Sequence, residues 1–160
     1  MKIEQRLADM GLVLPAEPKV PAGTALPPFW IRVRKGVAYV SGQSARNADG
    51  TPAGPFGKVP TDVSVEAARG AARGSALAIL GTLQRELGDL DRISAWLSVT
   101  GMVNAEPGFT GTSGVINGFS DFILELFGPE IGAHARTSPG MAALPGNSAV
   151  VIAAIVEIDG

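Results

Sequence analysis

The chain contains no cysteine, so neither a disulfide framework nor a thiol nucleophile is open to it. Its single histidine, His134, excludes a multi-histidine metal centre, and no metal ligand set is expected. Basic residues never cluster beyond Arg32-Val-Arg-Lys35, and 13 basic against 15 acidic residues leave a formal charge of -2. Without a positive track there is little to hold a polyanion, which sets nucleic acid aside as a main partner. No apolar run reaches the roughly 20 residues that cross a bilayer. The opening Met1-Lys-Ile-Glu-Gln-Arg-Leu-Ala-Asp9 reads as a charged amphipathic helix and not as a signal peptide. A soluble cytoplasmic protein without a membrane partner is the expectation.

What is present suffices for one core. At 160 residues and 46% hydrophobic composition, a single domain over 1–160 is the default. Residues 1–26 divide into a short helix over 3–9 and a connector in which Pro15 to Pro28 includes five prolines. The core spans 27–158. Phe29-Trp-Ile-Arg-Val-Arg34 and Val37-Ala-Tyr-Val-Ser41, parted by Lys35-Gly36, predict a hairpin closed by Ser41-Gly42-Gln43. From Asn47 to Pro60 the composition turns to Gly, Pro, Asp and Thr, a loop long enough to serve as a lid or as plain surface.

The spacing of Val65, Ala68, Ala72, Ala76, Ile79, Leu80, Leu83 and Leu87 predicts a helix over 65–87, with Ser64 as N-cap and Gly88 as stop. Gly70, Gly74 and Gly81 would each weaken that helix by roughly 1 kcal/mol, which suggests close approach to another backbone. Arg69 and Arg73 share one helix face and read as solvated. Asp91 to Val103 predicts a strand with Ile93, Ala95, Leu97, Val99 and Gly101 on its core face. A Gly/Thr loop over 106–114, a second helix over 115–127 and the stop Gly128-Pro129 follow. The order of elements fits an α+β fold with helices on one face of a sheet.

The last segment carries the strongest chemical signal. Arg136 stands at the start of a two-strand unit almost free of other charge, His134-Ala-Arg-Thr-Ser-Pro-Gly-Met-Ala-Ala-Leu-Pro145 followed by Ala149 to Ile158. A cation in such a setting needs an anionic or hydrogen-bonding partner, and a ligand can supply it. The closing strand is apolar on both faces, with Val150, Ile152, Ala154 and Val156 alternating with Val151, Ala153 and Ile155. No second helix layer remains to cover the second face, so self-association is the simplest cover, and ring closure would place ligand sites between subunits.

These residues together resemble the RidA (YjgF) family of small trimeric imine and enamine deaminases, over nearly all of 27–158. The likeness rests on the aromatic before the hairpin and Ser41-Gly42-Gln43, on Gly88-Asp-Leu-Asp91, on Phe127-Gly128, and above all on Ala135-Arg136-Thr137-Ser138 with Ala143-Leu144-Pro145. The N-terminal extension and the enlarged 50–60 loop look like the longer, less characterised branch. The resemblance implies a chorismate-mutase-like α+β domain with a mixed, mostly antiparallel sheet, two helices on one face, and a homotrimer. It implies hydrolysis of reactive 2-imino and 2-enamino acids to 2-keto acids and ammonia, with no cofactor.

It also implies that Arg136 clamps the substrate carboxylate, a task suited to a fixed guanidinium fork. Ser41 and Gly42 would line the pocket, Phe29 would be its aromatic wall or else an ordinary core aromatic, and Ser138 would face the ligand or the surface. On the second helix either Asn117 or Ser120 falls at the family's polar position. The family's water-positioning glutamate on the last strand aligns with Val151, and the next alternate position is Ala153; Glu157 lies further on and reads as solvated. Hydrolysis needs a held water and a proton acceptor, and valine is neither, so a non-catalytic carboxylate-binding member is the alternative. RNA cleavage, the family's older label, would require a basic groove that the sequence lacks. His134 reads as a surface residue beside a turn.

Overall fold

A computed structural model of the protein describes residues 1–20 and 29–160; the last part of the proline-rich connector lies outside the described residues. The elements are α1 (Lys2–Asp9), β1 (Ile31–Arg34), β2 (Val37–Gln43), α2 (Val65–Leu87), β3 (Ile93–Asn104), α3 (Thr112–Ile131), β4 (Ala135–Thr137), β5 (Gly140–Met141) and β6 (Val150–Ile158). The sheet runs β1-β2-β6-β3-β4, with β5 also on β3. All pairings are antiparallel except those of β3 with β4 and β5. The α+β layer arrangement expected from the sequence is therefore present: α2 and α3 cover one face of a mixed sheet.

Local chemistry explains the boundaries. The Ser64 hydroxyl accepts from the Ala67 N–H at 3.1 Å and caps α2, and Gly88 ends it at φ 81°. The helix α3 is regular up to Phe127; Gly128 at φ 84°, ψ 169° breaks it, and Pro129 starts a last turn to Ile131. Among the predicted close approaches on α2, Gly74 faces Ala45 and Gly81 faces the Pro15 carbonyl, whereas Gly70 is open. The tightest approach is on the other helix: a Cβ on Gly118 would run into the Arg69 carbonyl, with that carbonyl carbon 2.9 Å away. Arg69 and Arg73 are not simply solvated. Arg69 donates to the Gly114 carbonyl at 3.1 Å, and Arg73 lies over the Phe122 ring at 4.9 Å, so both tie α2 to α3.

One core face differs from the strict alternation read off the sequence. Register shifts in β3 between Ile93 and Ala95 and between Trp96 and Ser98 insert extra residues. The inward set becomes Ile93, Trp96, Val99, Gly101 and Val103, while Leu97 turns outward. A bulge, not a propensity, decides this, and Trp96 is thereby seated edge-on against Phe119 and Phe127 at 5.9 and 5.5 Å. On β6, Val150, Ile152, Ala154 and Val156 are buried under the helices, and Val151, Ala153 and Ile155 lie half-buried on the uncovered face.

The N-terminal helix is latched to the body by charge. Partial burial opposes ionisation of Asp91, but hydrogen bonds from the Met1 ammonium (2.6 Å) and from the amides of Lys2 and Ile3 (2.7 and 2.9 Å) outweigh it and hold the carboxyl at about 2. These amides are the orphan donors of the first turn of α1, so Asp91 caps a helix from outside it. In return Glu4 accepts from the Leu90 N–H at 2.8 Å, and Ile3 and Leu7 enter the common core. The 47–60 loop is likewise built into the body: Val59 is fully buried, and Phe56 bridges to Ser148. No described helix is long and apolar enough to cross a membrane.

Two outcomes follow. Because the Asp91 carboxyl lies below its ordinary 3.8 in the folded chain, its contribution is present above about pH 4 and lost as pH falls through about 2. Amide chemical shifts of residues 2–9 should hold steady down to about pH 4 and then move, and Asp91→Asn should abolish that step and speed hydrogen exchange in α1. Gly118→Ala should lower stability by about 1–3 kcal/mol through overpacking; an unchanged denaturation midpoint would contradict the close α2–α3 approach.

Candidate functional site

Arg136 is placed by the short parallel strand β4. It lies opposite Val99, whose side chain is buried beneath the helices, so Arg136 points to the helix side of the sheet. There the polar edge of α3 meets it. Nη1 donates to Asn117 Oδ1 at 2.8 Å and to Ser120 Oγ at 3.1 Å, and Nη2 donates to the Ser113 carbonyl at 3.5 Å. Positions 113, 117 and 120 share one helix face by their spacing of four and three. The two alternatives for the second helix are therefore both in place: Asn117 and Ser120 address the same guanidinium.

Behind Ser120 lies the residue that sequence reading assigned to the surface. His134 is partly enclosed, with Nε2 2.9 Å from Ser120 Oγ, Nδ1 2.7 Å from the Gly132 carbonyl, and its ring edge-on to Phe119 at 6.2 Å. Gly128 and Pro129 turn the chain at the end of α3, and the reversal brings the segment before β4 back along the helix. The available signal was parity, since His134 precedes Arg136 by two residues and points to the same side.

The other predicted residues occupy the opposite part of the sheet. A register shift between Val40 and Gln43 puts both Ser41 and Gly42 outside, while Val40 and Gln43 turn to the core. Ser41 Oγ donates to the Phe29 carbonyl at 3.0 Å, and the Phe29 side chain is 65% exposed. Ser41 and Phe29 line a groove of about 450 Å³ on the uncovered face with Tyr39, Ser98, Thr100 and Ile155. Beside Gly42 the surroundings are apolar: a Cβ there would meet Val151 Cγ1 at 2.9 Å and Met102 Cε at 4.0 Å. Glu157 is exposed and accepts from Ser94 at 2.8 Å, at the far end of β6 from Val151. Ser138 sits just past β4 with its hydroxyl enclosed and unpartnered.

Within one chain these two groups do not meet. In the order β2-β6-β3-β4, three strand spacings separate the Ser41-Gly42 bulge from Arg136, about 14 Å at about 4.8 Å each. What Arg136 lacks is also defined. Its three bonds all go to neutral oxygens, and among the described residues no Asp or Glu pairs with it. The acidic group Glu4, Asp89 and Asp91 belongs to the α1 latch, where the Met1 ammonium already sits among its oxygens.

Comparison with known proteins agrees with this architecture. No family model matches the chain. Protein TCP17 of Trypanosoma cruzi is 41% identical over 122 residues, covering 76% of this chain and 74% of that protein. The solved protein Atu1372 of Agrobacterium tumefaciens is 38% identical with a TM-score of 0.83, covering 99% of this chain and 94% of the other. A Shewanella oneidensis protein named for endoribonuclease activity superposes with a TM-score of 0.85 at 26% identity, over 98% and 99% of the two chains. RidA from an Antarctic Psychrobacter shares the fold at 16% identity, with a TM-score of 0.56 over 89% and 94%. With the bulged Ser41-Gly42, the Arg136 strand and the closing β6 in one sheet, and these likenesses extending over most of its length, the chain belongs to the RidA (YjgF) family.

Proposed function

We propose that the protein takes small 2-imino and 2-enamino acids, holds their carboxylate on Arg136, and hydrolyses them to 2-keto acids and ammonia in clefts between the copies of a homotrimer. The observation that carries this reading is the unpaired guanidinium. Two Nη1 hydrogens and one Nη2 hydrogen are engaged by neutral oxygens. The Nε–H and one Nη2 hydrogen have no partner among the described residues, and a guanidinium with donors to spare on Nε and Nη2 suits bidentate capture of a carboxylate.

A second copy would complete the site. The half-buried Val151, Ala153 and Ile155 and the 48%-exposed Tyr39 give the uncovered sheet face an apolar character suited to a subunit contact. A neighbour seated there could bring its own Ser41-Gly42 bulge to the Arg136 that the same chain cannot reach. Water adds to the imine carbon, the nitrogen leaves as ammonia after gaining protons, and the carbonyl forms. No metal or cofactor enters this balance.

A second reading has its own observation. Val151 packs beside Gly42 and stands where the family resemblance puts the water-positioning glutamate, which favours a member that binds 2-keto acids without turnover. The two are separated by generating 2-imino acids in situ with an amino-acid oxidase and following their decay. The enzyme reading predicts acceleration that Arg136→Ala abolishes. Acceleration by no imino acid, with 2-oxobutanoate still bound, leaves the binding module. Arg136→Ala should weaken 2-oxobutanoate binding about 10–100-fold by calorimetry, as expected for a lost charge-assisted pair. Val151→Glu, by supplying a proton acceptor, should raise the hydrolysis rate at least about tenfold.

A further inference from the structure

The polarity of the hydrogen bonds behind Arg136 is fixed from both ends. A guanidinium can only donate, and the Gly132 carbonyl can only accept. His134 Nδ1 lies 2.7 Å from that carbonyl and therefore carries a hydrogen. In the neutral ring Nε2 is then a bare acceptor, 2.9 Å from Ser120 Oγ, and the hydroxyl donates its hydrogen to it. The lone pairs of Oγ are left for Arg136 Nη1 at 3.1 Å. In this one arrangement every donor meets an acceptor along the line Arg136, Ser120, His134, Gly132.

The supports of this line are buried. Ser120 is 8% exposed and Phe119, which meets the imidazole edge-on, is fully buried. Trp96 in turn backs Phe119. The carbonyl at the end of the line belongs to the turn that follows the Gly128 break, so the geometry of that turn is transmitted to the guanidinium.

We propose that His134 and Ser120 are positioning residues for Arg136. They do not touch the ligand; they hold Nη1 so that the Nε and Nη2 edge stays aimed outward as a preformed carboxylate fork. The inference rests on Arg136 being the carboxylate-binding group. Its value for affinity lies in preorganisation, because a fork held in place loses less freedom when the ligand arrives.

The single histidine makes a direct test possible. Imidazole nitrogen-15 shifts of the unliganded protein, recorded with the ring neutral, should show the Nδ1–H tautomer, which is the minority form of free histidine in water. The Nε2–H tautomer would overturn the proposal, because that ring could not accept from Ser120. Calorimetry with 2-oxobutanoate should then show Ser120→Ala and His134→Phe each binding about tenfold more weakly, as for one lost hydrogen bond. Ser120→Thr, which keeps the hydroxyl, should bind within about twofold of the parent. Binding of the neutral 2-oxobutanamide should not differ among these variants, which a general loss of structure would not produce.

Failure of this inference and failure of the functional reading are distinguishable. If Arg136→Ala loses 2-oxobutanoate while Ser120→Ala binds it like the parent, the brace falls and the clamp stands. If Arg136→Ala binds 2-oxobutanoate unchanged, the clamp falls, and the proposal falls with it. Should Ser120→Ala fail to fold, the tautomer in the parent protein and the Ser120→Thr titration still decide.

Discussion

The antiparallel pairing of β3 with β6 is the contact on which the remaining structure depends. It joins residues 93–103 to residues 150–158 through nine Cα pairs, a long-range closure whose entropic cost is recovered only by burying both strands. On the helix side it lays Val99, Val103, Ile152, Ala154 and Val156 under α2 and α3. It also fixes the neighbours: β2 adds to the free edge of β6, and β4 to the free edge of β3. The bulge in β3 belongs to this pairing, and it alone turns Trp96 into the aromatic cluster that backs His134.

A sheet covered on one side has two chemically different parts. The helix side supplies the polar edge of α3, and there a short parallel strand can hold a cation among neutral oxygens. The uncovered side supplies a groove of mixed lining, in which Ser41, Ser98, Thr100 and Arg32 stand among Phe29, Ala153 and Ile155. Since the two parts lie three strands apart, a ligand that used both would have to sit between copies of the chain. That requirement couples the proposed chemistry to assembly: under the proposal, the copy that covers the apolar face would also build the site.

The sequence made most of the frame legible because its signals were local. Helical spacing with Ser64 and Gly88 at the ends defined α2 to the residue, and Lys35-Gly36 defined the hairpin. The misreadings came from nonlocal geometry. Strict alternation put Leu97 inside and Trp96 outside because a bulge leaves no mark in apolar spacing. Arg73 is exposed and Arg69 partly so, as read, but their contacts with α3 were missed because nothing local says that α3 packs beside them. His134 looked like a turn residue because its partner, Ser120, is 14 positions away. Arg136, by contrast, stood out in the sequence as a charge without company, and the fold leaves it without an acidic partner among the described residues.

The central claim is that a small carboxylate is held by Arg136 in a site completed by a second copy of the chain. The most direct measurement is a crystal structure grown with 2-oxobutanoate. The account predicts carboxylate oxygens about 2.7–2.9 Å from Arg136 Nε and Nη2, with Nη1 still on Ser120 and Asn117 and the Ser41-Gly42 bulge of a neighbouring copy closing the other side. A carboxylate bound elsewhere, or an Arg136 occupied by an acidic side chain of the neighbouring copy, would contradict it.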